Sequence, residues 1–192
     1  PFNNEHVMAG QGTISLEIFE QLNNEVDTIL CPIGGGGIIA GVAVAAKALN
    51  PNVKVIGVQT ANIPSMQESV KNGEVTTAFH AATIADGIAV KTPGDATFEI
   101  IKELVDDIIT VTEEEIAQGM LFLLEHQKIV SEGAGAVSTA ALLSKKYQPA
   151  AGEKVVCIVS GGNVDVNTLY RVIGVGLAKQ GRRYSFSTTM TD

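Results

Sequence analysis

The sequence predicts an α/β fold, with a mostly parallel, twisted sheet and helices on both faces of that sheet. Short apolar runs typical of buried strands alternate along the chain with longer helical patterns. Glycine-rich turns stand at several of the junctions between strand and helix. Because strands that are apolar throughout are buried on both sides, we expect helices to cover the sheet on both faces.

The first half of the chain contains two strand–helix units. The predicted elements are, in order, a strand over 27–33, a glycine loop over 34–37, a helix over 38–49, a strand over 53–59 and a helix over 64–70. The last helix has Pro64 in its first turn and Asn72-Gly73 after its end, which are common helix boundaries. The segment 74–94 has weak periodicity and is predicted as a long loop.

The second half continues the same alternation. The predicted elements are helices over 96–105, 113–127, 134–147 and 166–179, with strands over 107–111 and 154–160. Thr112 and Glu115 have the spacing of a capping box at the start of one helix. After Gln180 the composition changes to alternating β-branched and aromatic residues, which predicts a strand that opens another unit.

Composition and charge exclude several classes of protein. The net charge is −8, and the only three arginines lie in the last 22 residues, so a nucleic-acid partner is not expected. No apolar run is long enough to span a membrane, and the N-terminal residues lack the pattern of a signal peptide, which favours a cytoplasmic location. Cys31 and Cys157 lie in apolar runs and are predicted to be buried, small apolar residues.

Eight of the 20 glycines are concentrated in three short clusters: 34–37, 133 with 135, and 161 with 162. Each cluster precedes a predicted helix. In a parallel sheet such loops lie at the carboxyl ends of the strands, where ligands bind. The three clusters are therefore expected at one edge of the sheet.

The tetraglycine Gly34–Gly37 is the strongest candidate for a binding site. Its backbone can approach a bulky anion closely, and the following helix adds the positive end of its dipole. No Lys or Arg occurs between Leu30 and Ala46, so amide groups alone would hold a phosphate. A flexible turn is the alternative interpretation.

The residue after the glycines is Ile38 rather than Lys, which argues against an ATP-type loop. A dinucleotide such as NAD stays open, although Gln59 replaces the acidic residue that would bind ribose.

Six motifs occur in an order that resembles the catabolic threonine dehydratase family, within the fold-type II (tryptophan synthase β-like) pyridoxal-phosphate enzymes. They are PIGGGGIIAG (32–41), VIGVQ (55–59), TIADG (83–87), ELVDDI (103–108), SEGAGA (131–136) and SGGNVD (160–165). This resemblance assigns residues 1–179 to the C-terminal portion of the catalytic core. Residues 180–192 resemble a linker and the first strand of a truncated ACT-like regulatory domain.

The resemblance also implies roles for single residues. Gly34, Gly35, Gly36 and Gly37 would bind the phosphate of pyridoxal phosphate, and the Ser160 hydroxyl would face the pyridine nitrogen. Gly87 would contribute backbone beside the cofactor, and Glu132 would tune protonation as a catalytic group, with a capping acid as its alternative role. No metal site is expected, because Gln59, Ile63 and Ser65 supply no carboxylate where some relatives bind a divalent cation.

The activity implied is dehydration and deamination of L-threonine, and of L-serine, to 2-oxobutanoate or pyruvate and ammonia. A serine racemase-like enzyme is the alternative within the resemblance. None of the ten lysines has the Ser-Phe-Lys-like context of the family's catalytic lysine, so the chain alone is expected to be inactive. A homo-oligomer and a small-molecule effector acting through the ACT-like unit are further expectations.

Overall fold

The computed structural model describes residues 2–79 and 81–189. Its strands are β1 (Thr28–Pro32), β2 (Lys54–Thr60), β3 (Asp107–Val111) and β4 (Val155–Cys157). They form one parallel sheet in the order β3-β2-β1-β4. Leu30 in β1 pairs with Ile56 on one side and with Cys157 on the other, so the ends of the three strands are aligned. The carboxyl ends of all four strands therefore meet at one edge.

Seven α-helices occur in the described residues: α1 (Glu5–Gln21), α2 (Gly37–Leu49), α3 (Ser65–Asn72), α4 (Asp95–Leu104), α5 (Glu113–Phe122), α6 (Gly133–Leu143) and α7 (Val166–Lys179). A short 3-10 turn covers Asp86–Ile88, and a π-helical turn over Leu123–Gln127 extends α5. The capping box predicted for Thr112 and Glu115 is present at the start of α5. Within the described ranges, no helix is both long and apolar enough to cross a membrane.

Alternate side chains of the strands enter two separate cores, one on each face of the sheet. Ile29 and Cys31 pack with α1, α2 and α4, whereas the intervening Leu30 packs with α5, α6 and α7. This confirms a parallel sheet with helices on both faces. Cys31 is fully buried and Cys157 is half-buried; burial raises the pKa of the Cys157 thiol to about 12. Both environments fit the predicted apolar role.

Helices α1 and α2 cross at two glycines that bring their backbones into contact. A Cβ atom added at Gly12 would lie 3.2 Å from the carbonyl oxygen of Gly41. A Cβ atom at Gly41 would lie 2.8 Å from the amide nitrogen of Gly12 and would overlap the carbonyl oxygen of Met8. The crossing therefore leaves no room for a side chain on α2. Helix α1, which starts at the side-chain cap of Asn4, was not among the predicted elements.

Two predicted strands differ from the structure. The strand expected over 154–160 is formed only over Val155–Cys157, because the chain leaves the sheet after Ile158 to build the second glycine turn. The strand expected after Gln180 is not formed over 182–189, where the chain takes no regular structure. A strand needs a hydrogen-bonding neighbour, and residues 182–189 pair with none of the four described strands. Residues 190–192 lie outside the described residues, and the domain division at 179 stays a prediction.

Candidate functional site

The tetraglycine connects the end of β1 to the first turn of α2. Gly36 has φ +97°, in the left-handed region that favours glycine. A Cβ atom there would lie 2.8 Å from Ile101 Cδ1 and 2.9 Å from Thr97 Cβ. Throughout 2–79 and 81–189, no residue accepts a hydrogen bond from the amide N–H groups of Gly34–Gly37. The loop thus combines free donors with the N-terminus of a 13-residue helix, which is the arrangement that binds anions.

The side of this loop that faces α4 is held by a buried hydroxyl. Thr97 Oγ1 donates to the carbonyl oxygen of Gly35 at 2.6 Å and lies 3.0 Å from the carbonyl oxygen of Gly94. The Thr97 side chain is fully buried. The Gly35 carbonyl is therefore directed toward α4.

The other side of the loop contacts Phe2, which sequence reasoning did not identify. A Cβ atom at Gly35 would overlap the Phe2 ring, and one at Gly37 would lie 3.0 Å from Phe2 Cβ. The next residue, Asn3, accepts hydrogen bonds from the amides of Ala96 and Thr97 at 3.0 and 3.4 Å. The N-terminal residues therefore connect the loop to the start of α4. No local pattern near residue 2 indicates a contact with a loop more than thirty positions away.

All seven site residues predicted from the sequence line one cavity of about 400 Å³. They are Gly34, Gly35, Gly36, Gly37, Gly87, Glu132 and Ser160. The cavity lies at the carboxyl edge of the sheet, where β1 leads into the tetraglycine and β4 leads toward Ser160. Its volume is within the range of small-molecule sites. The first and third glycine clusters contribute lining residues, Gly34–Gly37 and Gly161, and the second cluster lies beside the third, because a Cβ atom at Gly135 would lie 2.9 Å from the carbonyl oxygen of Gly161.

Glu132 is the only charged residue that lines the cavity in the described part of the chain. Its Oε2 accepts a hydrogen bond from the amide of Asn163 at 2.8 Å. Its Oε1 is so close to Gly87 and Gly161 that a Cβ atom at either position would collide with it. The carboxylate therefore bridges the 3-10 turn and the second glycine turn, and it occupies the N-cap position of α6. The Glu132 side chain makes no capping hydrogen bond to α6, so the structure does not show the capping role, and the catalytic role stays a prediction.

Ser160 lies at the start of the second glycine turn, where the chain has left β4. Its carbonyl oxygen packs against Gly135 in the first turn of α6, and a Cβ atom at Gly135 would overlap it. Among residues 2–79 and 81–189, none forms a hydrogen bond with the Ser160 hydroxyl. Ser160 is half-buried and lines the cavity, so its hydroxyl is available to a ligand.

Gly87 is placed by the loop over 83–87, and this loop is anchored at the start of α5. Glu113 Oε2 accepts from the amide of Ile84 at 2.7 Å, and its Oε1 accepts from the Thr83 hydroxyl at 2.6 Å. The amide of Gly87 donates to Asp86 Oδ1 at 2.9 Å. The sequence did not predict these contacts between Glu113 and the loop.

The end of β2 is occupied by internal hydrogen bonds. Gln59 is fully buried; its side chain accepts from the amide of Gln67 at 2.9 Å and donates to the carbonyl oxygen of Ile33 at 3.4 Å. Ser65 donates to the carbonyl oxygen of Val90 at 2.6 Å. Over the described ranges, no group of three or more His, Cys, Asp or Glu side chains could hold a metal ion.

Residues 1–161 match the model of a family described as pyridoxal-phosphate dependent enzymes. The chain belongs to this family. The cofactor of these enzymes is pyridoxal phosphate, which decides against the dinucleotide interpretation. The residues of the cavity fit this group: the amides of the tetraglycine are free, and the free Ser160 hydroxyl lines the same space.

The named proteins to which this chain is similar are threonine and serine enzymes within the pyridoxal-phosphate family. An L-threonine ammonia-lyase of Thermotoga maritima is 54% identical over 192 residues, which cover 100% of this chain and 47% of that protein. The structure of the processed form of threonine deaminase isoform 2 from Solanum lycopersicum matches with a TM-score of 0.83 and 35% identity, covering 91% of this chain and 51% of that one. Maize serine racemase matches with a TM-score of 0.82 and 40% identity, covering 88% and 53%. The chain spans about half the length of these relatives.

Proposed function

We propose that this chain forms the phosphate- and ring-binding part of a pyridoxal-phosphate-dependent ammonia-lyase that converts L-threonine, and L-serine as a second substrate, to 2-oxobutanoate or pyruvate and ammonia. The observation that carries the proposal is the single cavity that contains both the free amides of the tetraglycine and Ser160. Relatives named for threonine support the choice of substrate.

Each lining residue has a distinct part in this proposal. The amides of Gly34–Gly37 hold the phosphate without a cationic side chain. The Ser160 hydroxyl donates to the ring nitrogen, and a neutral donor leaves this nitrogen unprotonated. When bound, the cofactor supplies the electron sink for removal of the α-proton and the β-hydroxyl. Gly87 offers a surface without a side chain beside the ring. Glu132 connects the 3-10 turn with the second glycine turn, and its carboxylate accepts a proton or a hydrogen bond at the cavity wall.

The base for the α-proton is not supplied by the residues that line this cavity. All ten lysines lie within the described residues, and none of them is among the lining residues. A lysine amine is the usual attachment point and base in this chemistry. We therefore expect the chain by itself to bind pyridoxal phosphate and to produce negligible 2-oxo acid.

Binding is tested by calorimetric titration of the chain with pyridoxal phosphate, pyridoxal, inorganic phosphate and NAD. We expect pyridoxal phosphate to bind more tightly than pyridoxal, and NAD not to bind. Ser160→Ala should weaken binding of pyridoxal phosphate but leave inorganic phosphate unchanged, because only the ring loses a donor. Ser144→Ala, at the C-cap of α6 and outside the cavity, is the matched control. If the chain binds NAD and not pyridoxal phosphate, the proposal is wrong.

Activity is tested in a chimaera in which this chain replaces the matching 192 residues of the Thermotoga maritima relative. We expect the chimaera to release 2-oxobutanoate from L-threonine. Release of D-serine from L-serine, without 2-oxo acid, would instead favour the serine racemase alternative that the maize structure raises. A chimaera that binds pyridoxal phosphate but produces neither product would contradict the proposed activity. The oligomeric state, a small-molecule effector and the ACT-like unit stay predictions.

A further inference from the structure

Thr97 contacts the tetraglycine from behind, outside the cavity. Its hydroxyl donates to the Gly35 carbonyl oxygen at 2.6 Å, although 62 residues separate the two along the chain. Thr97 is fully buried and is not one of the residues that line the cavity. A ligand in the cavity would therefore not touch it.

The geometry of the peptide bond gives this contact a consequence on the opposite side of the loop. The Gly35 carbonyl and the Gly36 amide belong to the same planar trans peptide, so their C=O and N–H bonds point in opposite directions. Thr97 Oγ1 at 2.6 Å and, more weakly, the Gly94 amide at 3.5 Å donate to this carbonyl oxygen. The carbonyl therefore points toward α4, and the Gly36 N–H is directed away from α4. Gly36 lines the cavity, and its N–H donates no hydrogen bond to residues 2–79 or 81–189.

Thr97 is itself fixed in position. Its backbone amide and that of Ala96 donate to Asn3 Oδ1, so the first turn of α4 has a side-chain cap from the N-terminal segment. The left-handed conformation of Gly36 places this residue against Thr97, where an added Cβ atom would lie 2.9 Å from Thr97 Cβ. The hydroxyl therefore acts from a rigid support.

We propose that Thr97 is a positioning residue for the anion cradle: by holding the Gly35 carbonyl, its hydroxyl orients the Gly36 amide toward a bound phosphate. This inference rests on the proposed function, since it assumes that the cradle takes a phosphate group. It assigns no contact between Thr97 and the ligand. It requires that loss of the hydroxyl weakens recognition of the phosphate and leaves recognition of the ring unchanged.

The test compares Thr97→Val, which keeps the shape and removes the hydroxyl, with Thr97→Ser, which keeps the hydroxyl. Thr13→Val is the matched control, because the exposed Thr13 hydroxyl also donates to a backbone carbonyl, that of Gly10 at 2.8 Å, but on α1. Binding of inorganic phosphate, pyridoxal phosphate and pyridoxal is measured by calorimetry, and folding is checked by thermal unfolding. If Thr97→Val does not fold, Thr97→Ala takes its place.

We expect Thr97→Val to weaken the binding of inorganic phosphate and of pyridoxal phosphate by about tenfold, as for loss of one well-oriented donor to a charged group. Pyridoxal, which lacks the phosphate, should bind as before. Thr97→Ser should restore phosphate binding to within about threefold, and Thr13→Val should change none of the three affinities.

The outcomes separate the two proposals. If the unmodified chain binds phosphate and Thr97→Val binds it equally well, the role of Thr97 is wrong while the proposed function stands. If Thr97→Val weakens all three ligands to the same extent, Thr97 supports the fold rather than the direction of an amide, and the inference is also wrong. If the unmodified chain binds neither phosphate nor pyridoxal phosphate, the proposed function fails and this inference fails with it.

Discussion

The Glu113 carboxylate accepts a hydrogen bond from the Thr83 hydroxyl at 2.6 Å and so connects the start of α5 to the loop that carries Gly87. The same carboxylate accepts from the Ile84 amide at 2.7 Å and from the Thr60 hydroxyl at 3.1 Å. Three donors from two segments therefore converge on one side chain. Because Gly87 follows this anchor directly, the shape of one cavity wall depends on a residue outside the cavity.

Replacing Glu113 should loosen this wall. We expect Glu113→Ala to lower the free energy of unfolding by roughly 2 kcal/mol, since hydrogen bonds to a charged group contribute more than neutral ones. The Ile84 amide should exchange with solvent faster. Urea unfolding and hydrogen exchange measure the two effects. Glu114→Ala, at the exposed neighbouring position, should change neither; equal effects of the two variants would contradict the anchoring role.

A buried hydroxyl without a partner predicts a stabilising substitution. Ser138 on α6 is fully buried, and its Oγ has no hydrogen-bond partner among the described residues. Ser138→Ala removes this unsatisfied group, so we expect the free energy of unfolding to rise by about 1 kcal/mol. Ser144→Ala is the control, because the Ser144 hydroxyl donates to the Ala140 carbonyl at 2.8 Å. A Ser138→Ala variant that is less stable than the parent would show that the hydroxyl has a partner.

Three glycine-to-alanine substitutions should separate backbone strain from lack of space. Gly10→Ala in α1 has open space and should stabilise the protein by about 0.5 to 1 kcal/mol. Gly73→Ala also has open space, but φ is +81°, so it should destabilise by about 1 to 2 kcal/mol. Gly36→Ala combines φ +97° with contacts below 3.0 Å and should destabilise most. Thermal unfolding ranks the three, and a Gly36 variant as stable as the Gly73 variant would contradict the structure of the loop.

Stability at low pH should depend on Glu153. The Thr28 and Tyr147 hydroxyls donate to its carboxylate and lower the pKa of Glu153 to about 2. A lowered pKa stabilises the folded state above the ordinary value of 4.5, and this contribution disappears as the pH falls toward 2. Urea midpoints should therefore differ between the parent and Glu153→Gln at pH 6 and converge near pH 2. The exposed Glu99→Gln variant should follow the parent at every pH, and a Glu153→Gln profile parallel to the parent's would refute the assignment.

The sequence predicted the sheet and the meeting of the tetraglycine and Ser160 at one cavity because these depend on short-range patterns. The apolar run over 107–111 coincides with β3, and the glycines that follow β1 and β4 converge because parallel strands end at one edge. Thr97, Phe2 and Glu113 were missed as supports of the site. Their contacts join segments that are distant in the sequence, and a threonine on an amphipathic helix carries no local signal of such a partner. The strand predicted after Gln180 is not formed over 182–189, because alternation predicts strand character but a sheet neighbour decides whether a strand forms. As part of an ACT-like unit it stays a prediction.

The contact between α1 and α2 at Gly12 and Gly41 restricts which residues the chain can carry at Gly41 without moving the tetraglycine loop. Gly41 lies one helical turn beyond Gly37, or about 6 Å along the α2 axis. A methyl group at Gly41 would push α1 and α2 apart. Because a helix is rigid, such a shift at Gly41 would also move the nearby N-terminal end of α2. The orientation of the four amide donors therefore depends on the absence of a side chain at Gly41, a residue of α2 that does not line the cavity. Variation at Gly41 should consequently change affinity without changing a single group that a ligand meets.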